Sequence, residues 1–159
     1  MNIKNSIKNE YKKFIFEKLG YVLMIERCVK NYHGKNDFWL FQWIQSAIAH
    51  HQLHVFFSDD DTPIGFIAWA FLETDVQKRL TENPKSLLHP SEWTESMEPW
   101  IIDCVALPGF YRKIIKTSAQ TLFKEYPQIG YVRRQIDSEK IKLGTLKNKF
   151  YTEAACEPI

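Results

Sequence analysis

Glu92-Trp93-Thr94-Glu95-Ser96-Met97-Glu98-Pro99-Trp100-Ile101-Ile102-Asp103 delivers one carboxylate into a run, Trp100 to Leu107, that is otherwise apolar. Burying a carboxylate without a partner costs several kcal/mol or forces it neutral, so Asp103 is expected to be hydrogen-bonded, and a histidine is the partner to look for. The block predicts a strand, a turn at Pro108-Gly109, and then a helix. A side chain near the C-terminal end of such a strand sits where α/β folds collect their chemistry.

Outward from this block, composition narrows the alternatives. The chain has 159 residues, 45% of them hydrophobic and 14% aromatic, enough to build a full core in one domain spanning 1–159. Cys28, Cys104 and Cys156 are odd in number and lack metal-ligand spacing, so neither a disulfide framework nor a zinc site is indicated. Cys104 reads as a small core residue. The N-terminus alternates Lys, Asn and aliphatics, which argues against a signal peptide or membrane span and for a cytoplasmic protein.

The net charge of +2 hides an asymmetry. From Phe57 to Asp103 there are ten acidic residues and three basic ones, whereas from Leu107 to Tyr151 there are ten basic and three acidic. The C-terminal third is therefore cationic, which suits a solvated helix and strand face or, as the functional reading, a docking patch for an acidic partner. Nucleic acid is not indicated as that partner, because no binding motif and no basic stripe with interleaved aromatics is present.

Periodicity predicts the remaining elements. Ile3, Ile7, Tyr11 and Phe14 fall at helical spacing, and Leu19 to Val29 either continues that helix or starts another element. Asp37 is positioned to cap a second helix running from Phe38 to about Ala49. Leu53–Phe57 and Ile64–Phe71 flank the polar cluster Ser58-Asp59-Asp60-Asp61-Thr62-Pro63 and predict an antiparallel hairpin. The three aspartates suit a tight turn better than a calcium loop, since no downstream Glu follows at the required spacing. A short helix Thr74–Leu80, a loop-rich crossing Asn83–Pro99, the strand Trp100–Leu107, a helix Tyr111–Tyr126, a strand Ile129–Ile136 and a mixed tail Lys140–Phe150 complete the order. This is an α/β (α+β) layout with a mixed, mostly antiparallel sheet flanked by helices, and it resembles the N-acetyltransferase order. Those enzymes hold a nucleotide pyrophosphate on a glycine-rich loop, and here that loop offers one glycine, Gly109, which argues against acyl-CoA as donor.

A more specific resemblance rests on spacing. Leu19-Gly20, a histidine, Ala47-Ile48 with Gln52, Pro63-Ile64-Gly65-Phe66 with Ala68-Trp69-Ala70, Glu92-Trp93, and Trp100-Ile101-Ile102-Asp103 with Ala106 and Gly109 resemble the toxin-activating lysine acyltransferases that accompany RTX pore-forming toxins. The likeness runs from about residue 19 to 150. It implies a cytoplasmic enzyme with an acetyltransferase-like fold that moves a fatty acyl chain from acyl carrier protein, the donor, to internal lysines of an RTX protoxin. Self-association as a homodimer is compatible with it. The family's catalytic pair carries over to His33 and Asp103. An ungapped count from Leu19-Gly20 places Tyr32 at the histidine position, and one inserted residue brings His33 into register. Departures are visible where the family's Ser-Gly-Asp is Glu95-Ser96-Met97 and its Ala-Pro-Phe-Gly is Ala106-Leu107-Pro108-Gly109. Two other readings remain: a catalytically silent relative acting as a binding module, and a small-molecule N-acyltransferase.

The chemistry needs such a pair. A lysine must lose a proton before its amine attacks a thioester, a histidine near pKa 6.5 can take it, and a carboxylate fixes the imidazole tautomer. A covalent route through His33 is also conceivable, and sequence does not separate it from direct transfer. Arg112, Lys113 and Lys116, on the helix after Asp103, are the expected docking residues for the acidic carrier. His50, His51 and His54 straddle a helix end and strand start, which breaks metal-ligand geometry. Trp39, Trp43, Trp69, Trp93 and Trp100 are expected chiefly in the core, with some lining a channel for an acyl chain.

Overall fold

A computed structural model describes residues 3–29, 40–83, 86–134 and 141–153. Helix α1, Ile3–Cys28, is one continuous element of 26 residues, so the segment from Leu19 continues the N-terminal helix. Ile15, Leu19, Val22 and Ile25 form its buried stripe, at the three- and four-residue spacing that keeps one helix face toward the core. The expected cap Asp37 and the start of the second helix lie outside the described residues. The described part is a π-helical turn, Leu40–Ile44, leading into α2, Gln45–Ala49. His51, at φ +57°, turns the chain from α2 into the sheet.

Five strands follow: β1 (Leu53–Phe57), β2 (Pro63–Phe71), β3 (Pro99–Ala106), β4 (Gln128–Arg134) and β5 (Ile141–Lys147), in spatial order β1-β2-β3-β4-β5. Every neighbouring pair is antiparallel except β3 and β4, which are parallel and joined through helix α4, Tyr111–Gln120. Helix α3, Thr74–Glu82, and a 3-10 turn, Pro90–Trp93, lie between β2 and β3. This is the mixed, mostly antiparallel α/β sheet expected of an acetyltransferase-like fold. The tail from Lys140, which reads as mixed in sequence, is a full strand pairing with β4 along its length. The aspartates between β1 and β2 serve the turn: Ser58 donates its hydroxyl to Asp60, and its N–H to the Thr62 carbonyl at 2.9 Å.

The sheet separates two cores. On one face α1, α2 and α3 pack over Val55, Phe66, Ala68, Trp100 and Ile102. On the other, α4 and Phe123 cover Ile67, Ile101 and Ile129. Helix α4 ends before Tyr126, the end predicted from sequence. Thr121 turns its hydroxyl onto the Thr117 carbonyl at 2.7 Å, and the Phe123 N–H reaches back to Ser118 at 2.9 Å. Asn148, buried just beyond β5, offers its side-chain NH₂ to the carbonyls of Ala119, Phe123 and Tyr126 at 3.3, 2.8 and 3.1 Å. One amide thus ties the β5 tail to the last turn of α4 and to the segment after it, at a Phe123 carbonyl that also accepts the Tyr126 N–H at 3.0 Å.

The crossing before β3 is fixed by an ion pair. Arg79 on α3 donates to Glu92 Oε1 at 2.7 Å and to Ser86 and the Leu87 carbonyl, while Glu92 accepts the His89 N–H at 2.7 Å. The Arg79 guanidinium holds the Glu92 carboxyl below its usual range. A carboxylate depressed in the folded state stabilises above its unfolded pKa, about 4.3, and that contribution fades as pH falls through the folded value. Glu92→Gln is therefore expected to cost about 1 kcal/mol at neutral pH, allowing for screening of the half-exposed guanidinium, with the gap to wild type closing in urea titrations below pH 4. Asn148→Ala is expected to cost about 1–3 kcal/mol at any pH, read from the same titrations, because it strips buried carbonyls of their donor.

Candidate functional site

Strand β3 carries the site because it is irregular at one residue. Ala68 faces Asp103 and Trp69 faces Ile101, so Ile102 is an extra residue, a bulge in the β2–β3 ladder. Strict alternation would put Ile101 and Asp103 on the same side of the sheet. The bulge separates them: Ile101 packs with α4, whereas Asp103 stands opposite Ala68, whose side chain belongs to the core under α1. Asp103 is 7% exposed, and it is not an isolated buried charge. His33 and Tyr32 lie outside the described residues. Val29, the last described residue before them, lines the same cleft as Asp103.

That cleft, of about 1180 Å³, exists because β3 and β4 pair only at Trp100–Gly130 and Ile101–Tyr131 and then part. Residues from both faces of β3, Asp103 and Val105 on one and Cys104 and Ala106 on the other, therefore line one continuous space. The volume is that of a site for an extended organic ligand. Its apolar wall is Ile101, Ile115, Ala119, Phe123 and Ile129. None of the four described tryptophans lines it. Trp43, Trp93 and Trp100 are buried in the core under α1, and Trp69 packs edge-on against Phe123. Trp39 lies outside the described residues.

The charges along the cleft are one-sided. Arg112 and Lys116, one turn apart on α4, line it together with Arg133, Lys147 and Lys149, and Asp103 is the sole acid among the described lining residues. Lys113 is exposed on the same helix but does not line the cleft. Charge counting over the C-terminal third included Arg133, Lys147 and Lys149 without distinguishing them. Their convergence depends on pairing between β4 and β5, which pattern alone did not reveal.

Two other lining groups have shifted acidities. Burial, and then the neighbouring Asp103, push the Cys104 thiol up to about 12, so it stays protonated and is not a nucleophile at neutral pH. Tyr111 is raised by burial and by Cys104, which keeps its hydroxyl a hydrogen-bond donor. The histidine cluster is occupied in packing. His50 stacks on Trp93, His51 lies against Phe14, and His54 meets Phe56 edge-on with its pKa lowered by burial and by Lys18. Among the described residues no group of three His, Cys, Asp or Glu is placed to hold a metal, and no helix is long and apolar enough to cross a membrane.

Comparison with known proteins gives this arrangement its family. Residues 14–146 match the model of the RTX toxin acyltransferase family. A leukotoxin-activating lysine-acyltransferase, LktC, of a Pasteurella haemolytica-like species (strain 5943B) is 31% identical over 122 residues, which is 62% of this chain and 73% of that protein. A buried carboxylate at a parted strand pair, a cationic cleft and a match over most of the chain agree, and the chain belongs to the RTX toxin acyltransferase family.

Proposed function

We propose that this protein is a cytoplasmic lysine acyltransferase that moves a fatty acyl chain from acyl carrier protein to internal lysines of an RTX-type protoxin, with His33 as general base and Asp103 as its orienting carboxylate. The observation that carries the reading is the placement of Asp103 at the split between β3 and β4, on the side from which α1 delivers the chain toward His33. Val29 lines the same cleft as Asp103 and lies only four residues before His33, a stretch that spans at most about 14 Å. The LktC relative is itself described as a leukotoxin-activating lysine-acyltransferase, which supports the same acceptor chemistry here.

In this mechanism His33 takes a proton from the lysine ε-ammonium, whose ordinary pKa near 10.4 leaves it unreactive at neutral pH. The freed amine attacks the thioester carbonyl, the C–N bond forms, the C–S bond breaks, and the carrier's thiolate leaves and is reprotonated. Asp103 holds the imidazole tautomer and stabilises the imidazolium. The carrier's acidic surface meets Arg112, Lys116 and Arg133.

His33→Ala is expected to lower transfer by roughly 10²–10⁴, and Asp103→Asn to remove much of the rate while leaving the circular dichroism spectrum unchanged. The double variant should be little worse than His33→Ala, since both groups serve one proton transfer. Intact mass of a co-expressed protoxin fragment measures this, with Tyr32→Phe as the control. Activity that survives His33→Ala but not Tyr32→Phe would move the base to Tyr32.

Carrier docking has its own signature. Arg112→Glu and Lys116→Glu should each slow transfer more than Lys113→Glu, and the wild-type rate should fall as ionic strength rises past about 0.15 M, where the screening length is about 8 Å. Equal rates with acyl-CoA, insensitive to salt, would contradict the carrier as donor.

A further inference from the structure

Beyond Ile129, which α4 and Phe123 cover, the α4 face of β4 and β5 is exposed at Leu146, Arg133 and Lys142, and its side chains are graded. On that face β4 and β5 present three cross-strand pairs: Ile129 opposite Leu146, Tyr131 opposite Gly144, and Arg133 opposite Lys142. They run from apolar, through an aromatic ring lying over a glycine, to two cations side by side. A Cβ at Gly144 would lie 2.3–2.7 Å from the Tyr131 ring and hydroxyl, so the glycine is what lets the ring lie flat there. Two like charges directly opposite each other disfavour the sheet and are eased by an anion.

Helix α4 repeats the gradient. Its cleft-lining residues pass from Tyr111 and Arg112, through Ile115 and Lys116, to Ser118 and Ala119. Because α4 links two parallel strands, its C-terminal end returns to the ends of β3 and β4 that pair, at Ile101 and Ile129, while its N-terminal end stays with Asp103 and Arg133 at the parted ends. Helix and hairpin thus form two walls of one groove, cationic where the site lies and apolar at the far end. Asn148, bonded to the Ala119 carbonyl, ties the β5 tail across that far end.

We propose that this groove binds the acyl chain of the donor, head toward Arg112 and Arg133 and tail toward Ile129 and Leu146, and that Ala119 gauges the chain length accepted. The inference rests on the acyl-carrier reading above and adds the location and specificity of the chain. An amphiphile with an anionic carrier at one end matches the gradient in both charge and polarity. Ala119 is the small residue where the apolar walls converge, so a larger side chain there shortens the groove without touching the catalytic end.

Binding and transfer test this separately. In the His33→Ala background, which blocks turnover, calorimetry with octanoyl, dodecanoyl and hexadecanoyl carrier protein should show affinity rising at least about tenfold from octanoyl to dodecanoyl. Ala119→Phe should abolish that rise. Leu146→Asp, at a side chain 47% exposed and hence tolerant of substitution, should do the same if Ala119→Phe disturbs folding. In otherwise wild-type protein, Ala119→Phe should shift the product toward short chains at least about tenfold. Affinity indifferent to chain length, or a length profile untouched by both substitutions, would overturn the proposal. Leu146→Asp weakening only the acceptor polypeptide would assign the groove to the acceptor and overturn it equally. Length-dependent binding without any lysine acylation would uphold the groove and instead refute the transferase reading.

Discussion

The parting of β3 from β4 is the constraint on which the rest of the molecule depends. At Gly130 an added Cβ would lie 2.2–2.5 Å from carbons of the Trp100 indole, so the indole occupies the space a side chain would take. That close packing fastens the two parallel strands at one end. Beyond Tyr131 no ladder joins them, and the sheet holds together through β2 on one side and β5 on the other. A cleft in the middle of a sheet is tolerable only because each separated strand keeps a full antiparallel neighbour for its outer backbone groups.

The bulge at Ile102 turns that gap into a site. Without it, Asp103 would share the α4 side with Ile101 and meet the apolar wall. With it, the carboxylate faces the helices whose chain continues to His33, while the wall remains apolar. The cleft then has two chemically distinct sides, one carrying a carboxylate and one lined by apolar side chains.

Electrostatics reinforces the division. Cys104, next to the carboxylate, is held protonated by burial and by that charge, so it adds neither a competing nucleophile nor a second anion. The remaining charges lining the cleft among the described residues are cations. The opening that presents Asp103 is thus bordered by positive charge on the helix α4 side and on the β4–β5 side.

The sequence by itself determined four of the five strands and the candidate carboxylate. Alternating and β-branched runs at Leu53–Phe57, Ile64–Phe71 and Trp100–Leu107 are local signals, and a lone acid in an apolar run reports its own burial cost. The charge imbalance of the C-terminal third was equally legible, since it is a count. Tertiary structure decided the features that depend on neighbours. The bulge is a mismatch between two strands, and Lys116 differs from Lys113 only in which helix face meets the cleft. Strand β5, Ile-Lys-Leu-Gly-Thr-Leu-Lys, alternates too weakly to identify itself and is a strand because β4 offers it a ladder. Asn148 reads as an ordinary loop asparagine until three carbonyls from a helix end some twenty to thirty residues earlier converge on its amide. Local pattern records what a residue costs to bury, whereas pairing and convergence arise only when distant segments share a surface.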